Sequence, residues 1–239
     1  MKTTRVLGAM LIASSVLLGA CSNNDDNNVT GTSNNATVRF VNTTGQNIDI
    51  GTNGTYASGN SNLAFGAGSQ CLSVNPSSSG LTFRQNGQTS TFTPTGFNAS
   101  SMAAGGRYTV VLGGTSGAYT AQTYNDTYTG ATASAGGVRV INAMTGGNSY
   151  GLYLGSAGST MPSTAASSSF GSGMSTAFMP INVGNGQVWL TSGTGSSQTT
   201  AFSSASFPVT ANGYQTVILA NPATTGGPIR SFTTSGCTT

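Results

Sequence analysis

The side chains able to do chemistry in this chain are few: three Cys, four Asp, six Arg and a single Lys, Lys2, with no His and no Glu among 239 residues. Without imidazole, Ser-His-Asp and Cys-His relays lack their base, and imidazole-based metal sites cannot be built. Asp25 and Asp26 are adjacent, but they lie in a run of Asn, Ser, Thr and Gly that gives nothing to hold a cation rigidly, and they read as solvated linker charge. Asp49 and Asp126 remain as a conceivable glycosidase pair, since that chemistry needs two carboxylates flanking one bond. They fall in different strand-like runs, and neither has a counterpart in the repeat described below. The expectation is therefore no catalytic residues, no metal and no cofactor. A formal charge of +3 spread over so few residues also gives no basic patch for nucleic acid.

The cysteines divide into two kinds. Lys2 and Arg5 precede an uncharged, mostly apolar stretch, Val6 to Leu18. As a helix it would span roughly 20 Å, short of the ~30 Å hydrocarbon core, so it reads as the apolar part of a secretory signal and not as a membrane span. It ends in Leu18-Gly19-Ala20-Cys21, which resembles the bacterial lipobox. The resemblance implies cleavage before Cys21 and acylation of its thiol and new amine, with palmitate among the acyl chains. The alternative is an ordinary cleaved signal with an incidental Cys. Two or three acyl chains hold a protein durably on a bilayer. Ser22 after the Cys, by resemblance to enterobacterial sorting, points to the outer membrane, periplasmic or surface-facing. Cleavage removes Lys2 and leaves a mature chain close to neutral. Cys71 and Cys237 then remain, an even number in an oxidising compartment. A disulfide between them closes a loop of about 165 residues, contributing on the order of 5 kcal/mol in the chain-entropy model, and it ties the C-terminal tail to the first half of the chain. Two free buried thiols, or pairing between molecules, are the alternatives.

These groups are positioned by β structure. Residues 1–20 form the signal, and 21–35 carry the anchor and a flexible tether too polar to bury apolar area. The remainder reads as two copies of one module, 36–132 and 133–239. Val38-Arg39-Phe40-Val41-Asn42 recurs as Val138-Arg139-Val140-Ile141-Asn142. Phe65-Gly66-Ala67-Gly68 is matched with Phe170-Gly171-Ser172-Gly173, and Leu81 to Arg84 with Gly186 to Trp189. Tyr108 to Leu112 recurs, with one inserted residue, as Tyr214 to Leu219. Repetition in the same order argues for duplication at domain scale. The opening strands alternate apolar and polar residues, as do Ile48-Asp49-Ile50 and Leu152-Tyr153-Leu154. Further strand-like runs lie at 81–84, 108–112, 118–124, 188–191, 214–219 and 229–233, separated by Gly, Asn, Ser and Pro. The pattern predicts two tandem antiparallel β-sandwich domains.

The V-R-V-x-N opening strand, the second strand about ten residues on, the Phe-Gly with its following sheet segment and the late Y-T-V-V-L strand resemble the domain-of-unknown-function 4397 family. That resemblance covers Ala36 to about Asn221. It implies an immunoglobulin-like sandwich in secreted and lipid-anchored bacterial proteins, and it brings no catalytic residues. Aspartates common in the family's first two strands are mostly Asn, Gln and Gly here. Arg39 and Arg139 occupy matching strand positions and read as side chains that snorkel and pair with a local carbonyl or Asp. Trp189, Tyr119, Tyr124, Tyr128, Tyr150 and Tyr153 read as sandwich packing, with a sugar-stacking face as the sharper alternative. The functional expectation is a lipid-anchored envelope protein without turnover, binding, adhesive or scaffolding. Its partner is a polysaccharide or an envelope protein, and its membrane contact runs through the N-terminal lipid. The competing expectation is an enzyme or accessory module acting on cell-wall or extracellular polysaccharide.

Overall fold

Alternation of apolar and polar side chains becomes strand throughout the computed structural model, which describes residues 34–130, 132–193, 197–221 and 227–237. Cys21, the signal, Asp25 and Asp26 lie outside the described residues. The first module contains β1 (Ala36–Asn42), β2 (Ile48–Thr52), β3 (Leu72–Val74), β4 (Leu81–Gln85), β5 (Thr91–Phe92), β6 (Arg107–Thr115) and β7 (Ala118–Asn125). The second contains β8 (Ala135–Asn142), β9 (Tyr150–Ser156), β10 (Ser167–Phe170), β11 (Met179–Asn182), β12 (Gly184–Ser192), β13 (Thr199–Ser203), β14 (Phe207–Val209), β15 (Tyr214–Ala220) and β16 (Arg230–Ser235).

Each module is a two-sheet sandwich. Sheet β3-β1-β6-β7 packs on β2-β4-β5, and sheet β11-β8-β15-β16 packs on β10-β9-β12-β13, with β14 joined to β12. The strand pairs are antiparallel except for one in each module: β1 runs parallel to β6, and β8 to β15. A parallel pair needs a long crossover, and here the intervening strands of the opposite sheet supply it in place of a helix. In the first core Phe40, Val110 and Leu112 meet Ile48, Ile50 and Phe83, with the Phe40 and Phe83 rings edge to face at 5.4 Å. In the second, Val140, Val217 and Leu219 meet Leu152, Val188, Leu190 and Phe170.

The central pairs of the two inner sheets are apolar on both faces. Phe40 and Val110 point into the first core, while Val41 and Val111 form a separate cluster with Ile141 and Ile218 of the second module. The two inner sheets therefore pack back to back, and Thr32–Thr239 forms one unit. Burying an aliphatic side chain of this size contributes roughly 1.5–3 kcal/mol, so four of them make a firm junction.

The hydrogen bonds also give the true register of the duplication. Asn42 Nδ2 donates to Leu63 O and Asn142 Nδ2 to Phe170 O, so Phe170 matches Leu63 and not Phe65. Gly66 N donates to Asn42 O as Gly173 N does to Asn142 O. Both glycines have positive φ, 83° and 78°, where only Gly turns without strain. The sequence match of Phe65-Gly66 with Phe170-Gly171 is thus displaced by two residues. The same correction pairs Phe83 with Leu190, each lying opposite the second core residue of β2 or β9.

Candidate functional site

The junction of the inner sheets carries a local two-fold symmetry that places the matched arginines. Arg39 lies beside Thr109 in the β1–β6 ladder, and Arg139 beside Thr216 in the β8–β15 ladder. Each crosses to the last strand of the other module. Arg39 Nη1 donates to Ser235 O at 2.5 Å, and Arg139 Nη1 to Asn125 O at 2.7 Å. The expected carbonyl and Asp partners are present, but they come from the opposite module. Arg139 does not snorkel: it is 4% exposed.

The two sides of this symmetric junction have diverged. Cys71 lies two residues past Ser69, whose hydroxyl accepts from Phe40 N; Phe178 lies two residues past Thr176, whose hydroxyl accepts from Val140 N. Cys237 lies two past Ser235, and Thr127 two past Asn125. On the first side Cys71 and Cys237 form a disulfide, with Cα atoms 5.8 Å apart and Arg39 Nη2 3.3 Å from the Cys71 sulfur. The C-terminal strand is thereby fastened to the first module. On the other side the matching positions hold no covalent link, and a cleft of about 690 Å³ opens there, against about 350 Å³ beside Arg39.

The open cleft is lined by Thr123, Tyr124, Tyr128, Arg139, Thr176 and Phe178, among others. Behind the lining Arg139 lies a buried ion pair: Arg139 Nη2 donates to Asp126 Oδ1 and to Thr216 Oγ1, the latter at 2.9 Å, while Thr109 Oγ1 donates to Asp126 Oδ2 at 2.8 Å. A buried pair is sustained only when its remaining hydrogen-bonding capacity is used, and these hydroxyls use it. The guanidinium also faces Phe178 at 4.7 Å and Tyr124 at 5.5 Å from the ring centroids. Burial pushes the Tyr124 phenol up to about 12, against the opposing pull of Arg139. At neutral pH it is therefore an uncharged phenol, bonded to Gln122 Oε1 at 2.6 Å. Three polar atoms of lining residues are shut off from solvent without a hydrogen-bond partner: Thr123 Oγ1, Tyr128 Oη and Arg139 Nε. The cleft can accept and donate hydrogen bonds and stack rings, and its charges are mutually neutralised.

The remaining sequence candidates are dispersed. Asp49 is buried in the outer sheet of the first module. It takes Arg84 Nε at 2.8 Å on Oδ2 and, on Oδ1, Asn62 N at 2.8 Å and Asn86 Nδ2 at 2.9 Å. Burial alone would raise its pKa, but the Asn62 amide, Asn86 and Arg84 outweigh this and hold it below the ordinary carboxylate value. Asp49 and Asp126 share none of these partners, so the structure does not assemble them as a pair. Trp189 and Tyr153 are cross-strand neighbours on the outer face of the second module, where Gln198 donates to Tyr153 Oη at 2.6 Å. Tyr119 stacks on Phe92 at 4.0 Å along a smaller groove. Among the described residues no group of three or more His, Cys, Asp or Glu could hold a metal ion, and no helix is long and apolar enough to cross a membrane. Sequence reasoning overlooked Phe178 and Thr123. Phe178 becomes visible only once the repeat register is corrected and it falls opposite Cys71.

No curated protein matches the chain. The family described as "Domain of unknown function (DUF4397)" matches residues 36–153, the whole first sandwich together with β8 and most of β9. Over these residues, which fold as the first sandwich and the start of the second, the chain is thus similar to the DUF4397 domain.

Proposed function

We propose that this is a lipid-anchored protein of the bacterial outer membrane that binds a polysaccharide or another envelope protein in the open junction cleft and does not turn it over. One observation carries the reading: the cleft is lined by rings and hydroxyls, and its one charged lining residue, Arg139, is neutralised by Asp126 buried behind it. General acid–base catalysis needs a group that changes protonation near the working pH. The lining phenol Tyr124 titrates far above it. Anchoring rests on the Leu18-Gly19-Ala20-Cys21 motif, and the polar tether that follows gives the sandwiches reach from the membrane.

Pull-down from envelope extracts alongside a glycan array tests the binding. The expected result is saturable capture with the partner recovered intact. Saturable hydrolysis of a cell-wall or extracellular polysaccharide, abolished in folded Asp49→Asn or Asp126→Asn protein, would replace this reading with the enzymatic one. Palmitate labelling that persists after Cys21→Ser would remove the proposed anchor.

A further inference from the structure

We infer that Cys71 is the reactive thiol of the staple: in the reduced chain the Arg39 guanidinium holds it as a thiolate that attacks a disulfide oxidant, and Cys237 resolves the product. This stands apart from the reading of the open cleft.

The twin seats of the junction supply the argument. In the open seat the cation is met by an anion, Arg139 by Asp126, the residue after Asn125. The matching residue after Ser235 is Gly236, and a Cβ there would run into the Tyr214 ring, so no acidic side chain fits. Arg39 donates instead to neutral oxygens, Thr234 Oγ1, Ser235 O and Ser235 Oγ, and to the Cys71 sulfur at 3.3 Å. The ion pairs among the described residues use Arg84 and Arg139, not Arg39. Once the staple is reduced, the Cys71 thiolate is the anion placed to do for Arg39 what Asp126 does for Arg139. A cation at that distance favours the thiolate, and the thiolate is the attacking species. The open seat also shows that the arginine needs no disulfide to hold it. Arg139 keeps its strand carbonyl, Asn125 O, with Phe178 and Thr127 in the places of the two cysteines.

Exposure gives the same order. Cys71 is half-buried and Cys237 only 1% exposed, so an oxidant reaches Cys71 first. The Cys71 thiolate attacks one sulfur of the oxidant, whose S–S bond breaks and releases one thiolate. Cys237 then gives its proton to solvent, and its thiolate attacks the Cys71 sulfur and expels the second. Two protein thiols are oxidised, one disulfide is reduced, and the two released thiolates take up the two protons. Cα atoms 5.8 Å apart place Cys237 within reach for the second step.

The test uses chains that begin at residue 21 with Cys21→Ser, carry Cys237→Ala or Cys71→Ala, and are shown to be folded by near-ultraviolet circular dichroism. They are treated with iodoacetamide and with oxidised glutathione. At neutral pH Cys71 should react about tenfold faster than Cys237. Its ultraviolet thiolate absorbance should appear at lower pH in the folded chain than in urea. Arg39→Met should move that titration to higher pH and slow alkylation at neutral pH by about threefold. Arg230→Gln removes an exposed arginine from the strand that carries Ser235 and should change neither. Equal or faster reaction at Cys237, or a Cys71 titration that neither Arg39→Met nor urea moves, overturns the inference. Loss of the folded signal in the chains without the staple overturns it too, since no seat would then hold the thiolate.

Discussion

Arg139 and Arg39 hold equivalent places, yet their surroundings make them unequal in energy. Arg139 is fully buried against Asp126, whereas Arg39 is half-buried and bonded to the Thr234 and Ser235 oxygens and the Cys71 sulfur. Asp126→Asn should therefore cost about 3–5 kcal/mol in urea denaturation, because it strands a buried cation. Arg39→Met should cost distinctly less. Asp49 makes a separate statement about pH. Its folded pKa lies below its unfolded value near 3.8, so its contribution is present above that pH and lost as pH falls through the folded value. Acid denaturation curves of Asp49→Asn should accordingly be flatter below about pH 4 than those of the parent. At this scale the sequence shows residue type well and partnership poorly. A carbonyl or Asp partner for each Arg was legible from strand chemistry. That the partner comes from the opposite module depends on how the inner sheets stack, which strand periodicity does not encode.

Strands with one face in a core were legible because burial enforces alternation, and every such run, from Val38–Asn42 to Tyr214–Leu219, is a strand. The strands that escaped notice include β3, β5, β10, β11 and β13, short elements at or near sheet edges. β13, Thr199–Ser203, is mostly exposed, so no hydrophobic pattern marks it. The two-residue displacement in matching Phe65 with Phe170 has a related cause. Identity of a Phe-Gly pair suggested one register, whereas the repeated hydrogen bonds of Asn42 and Asn142 fix another. The parallel pairing of β1 with β6 was likewise invisible, since alternation specifies a face and not a neighbour. The inner sheets add one prediction of their own. Ile141 is fully buried between modules, so Ile141→Ala should lower unfolding free energy by about 2–5 kcal/mol. Calorimetry of that variant should show the loss as a lowered Tm.

Two sandwiches joined back to back, stapled on one side and open on the other, frame the junction cleft among the described residues. Even cysteine count foretold the staple, and the structure pairs Cys71 with Cys237 across a separation of 166 residues. Non-reducing peptide mapping should recover them as one linked fragment, and reduction should lower stability by about 5 kcal/mol in the chain-entropy model. An unlinked Cys71 peptide would contradict this. Low charge throughout the chain accords with the proposal of binding without acid–base chemistry. The central claim, binding without turnover in that cleft, is tested most directly by incubating the disulfide-bonded chain with envelope polysaccharide and following bound and released sugar together. The account predicts saturable retention of intact polysaccharide that Phe178→Ala weakens. Release of shortened chains in proportion to protein and time, lost in Asp126→Asn protein that remains folded, would contradict it.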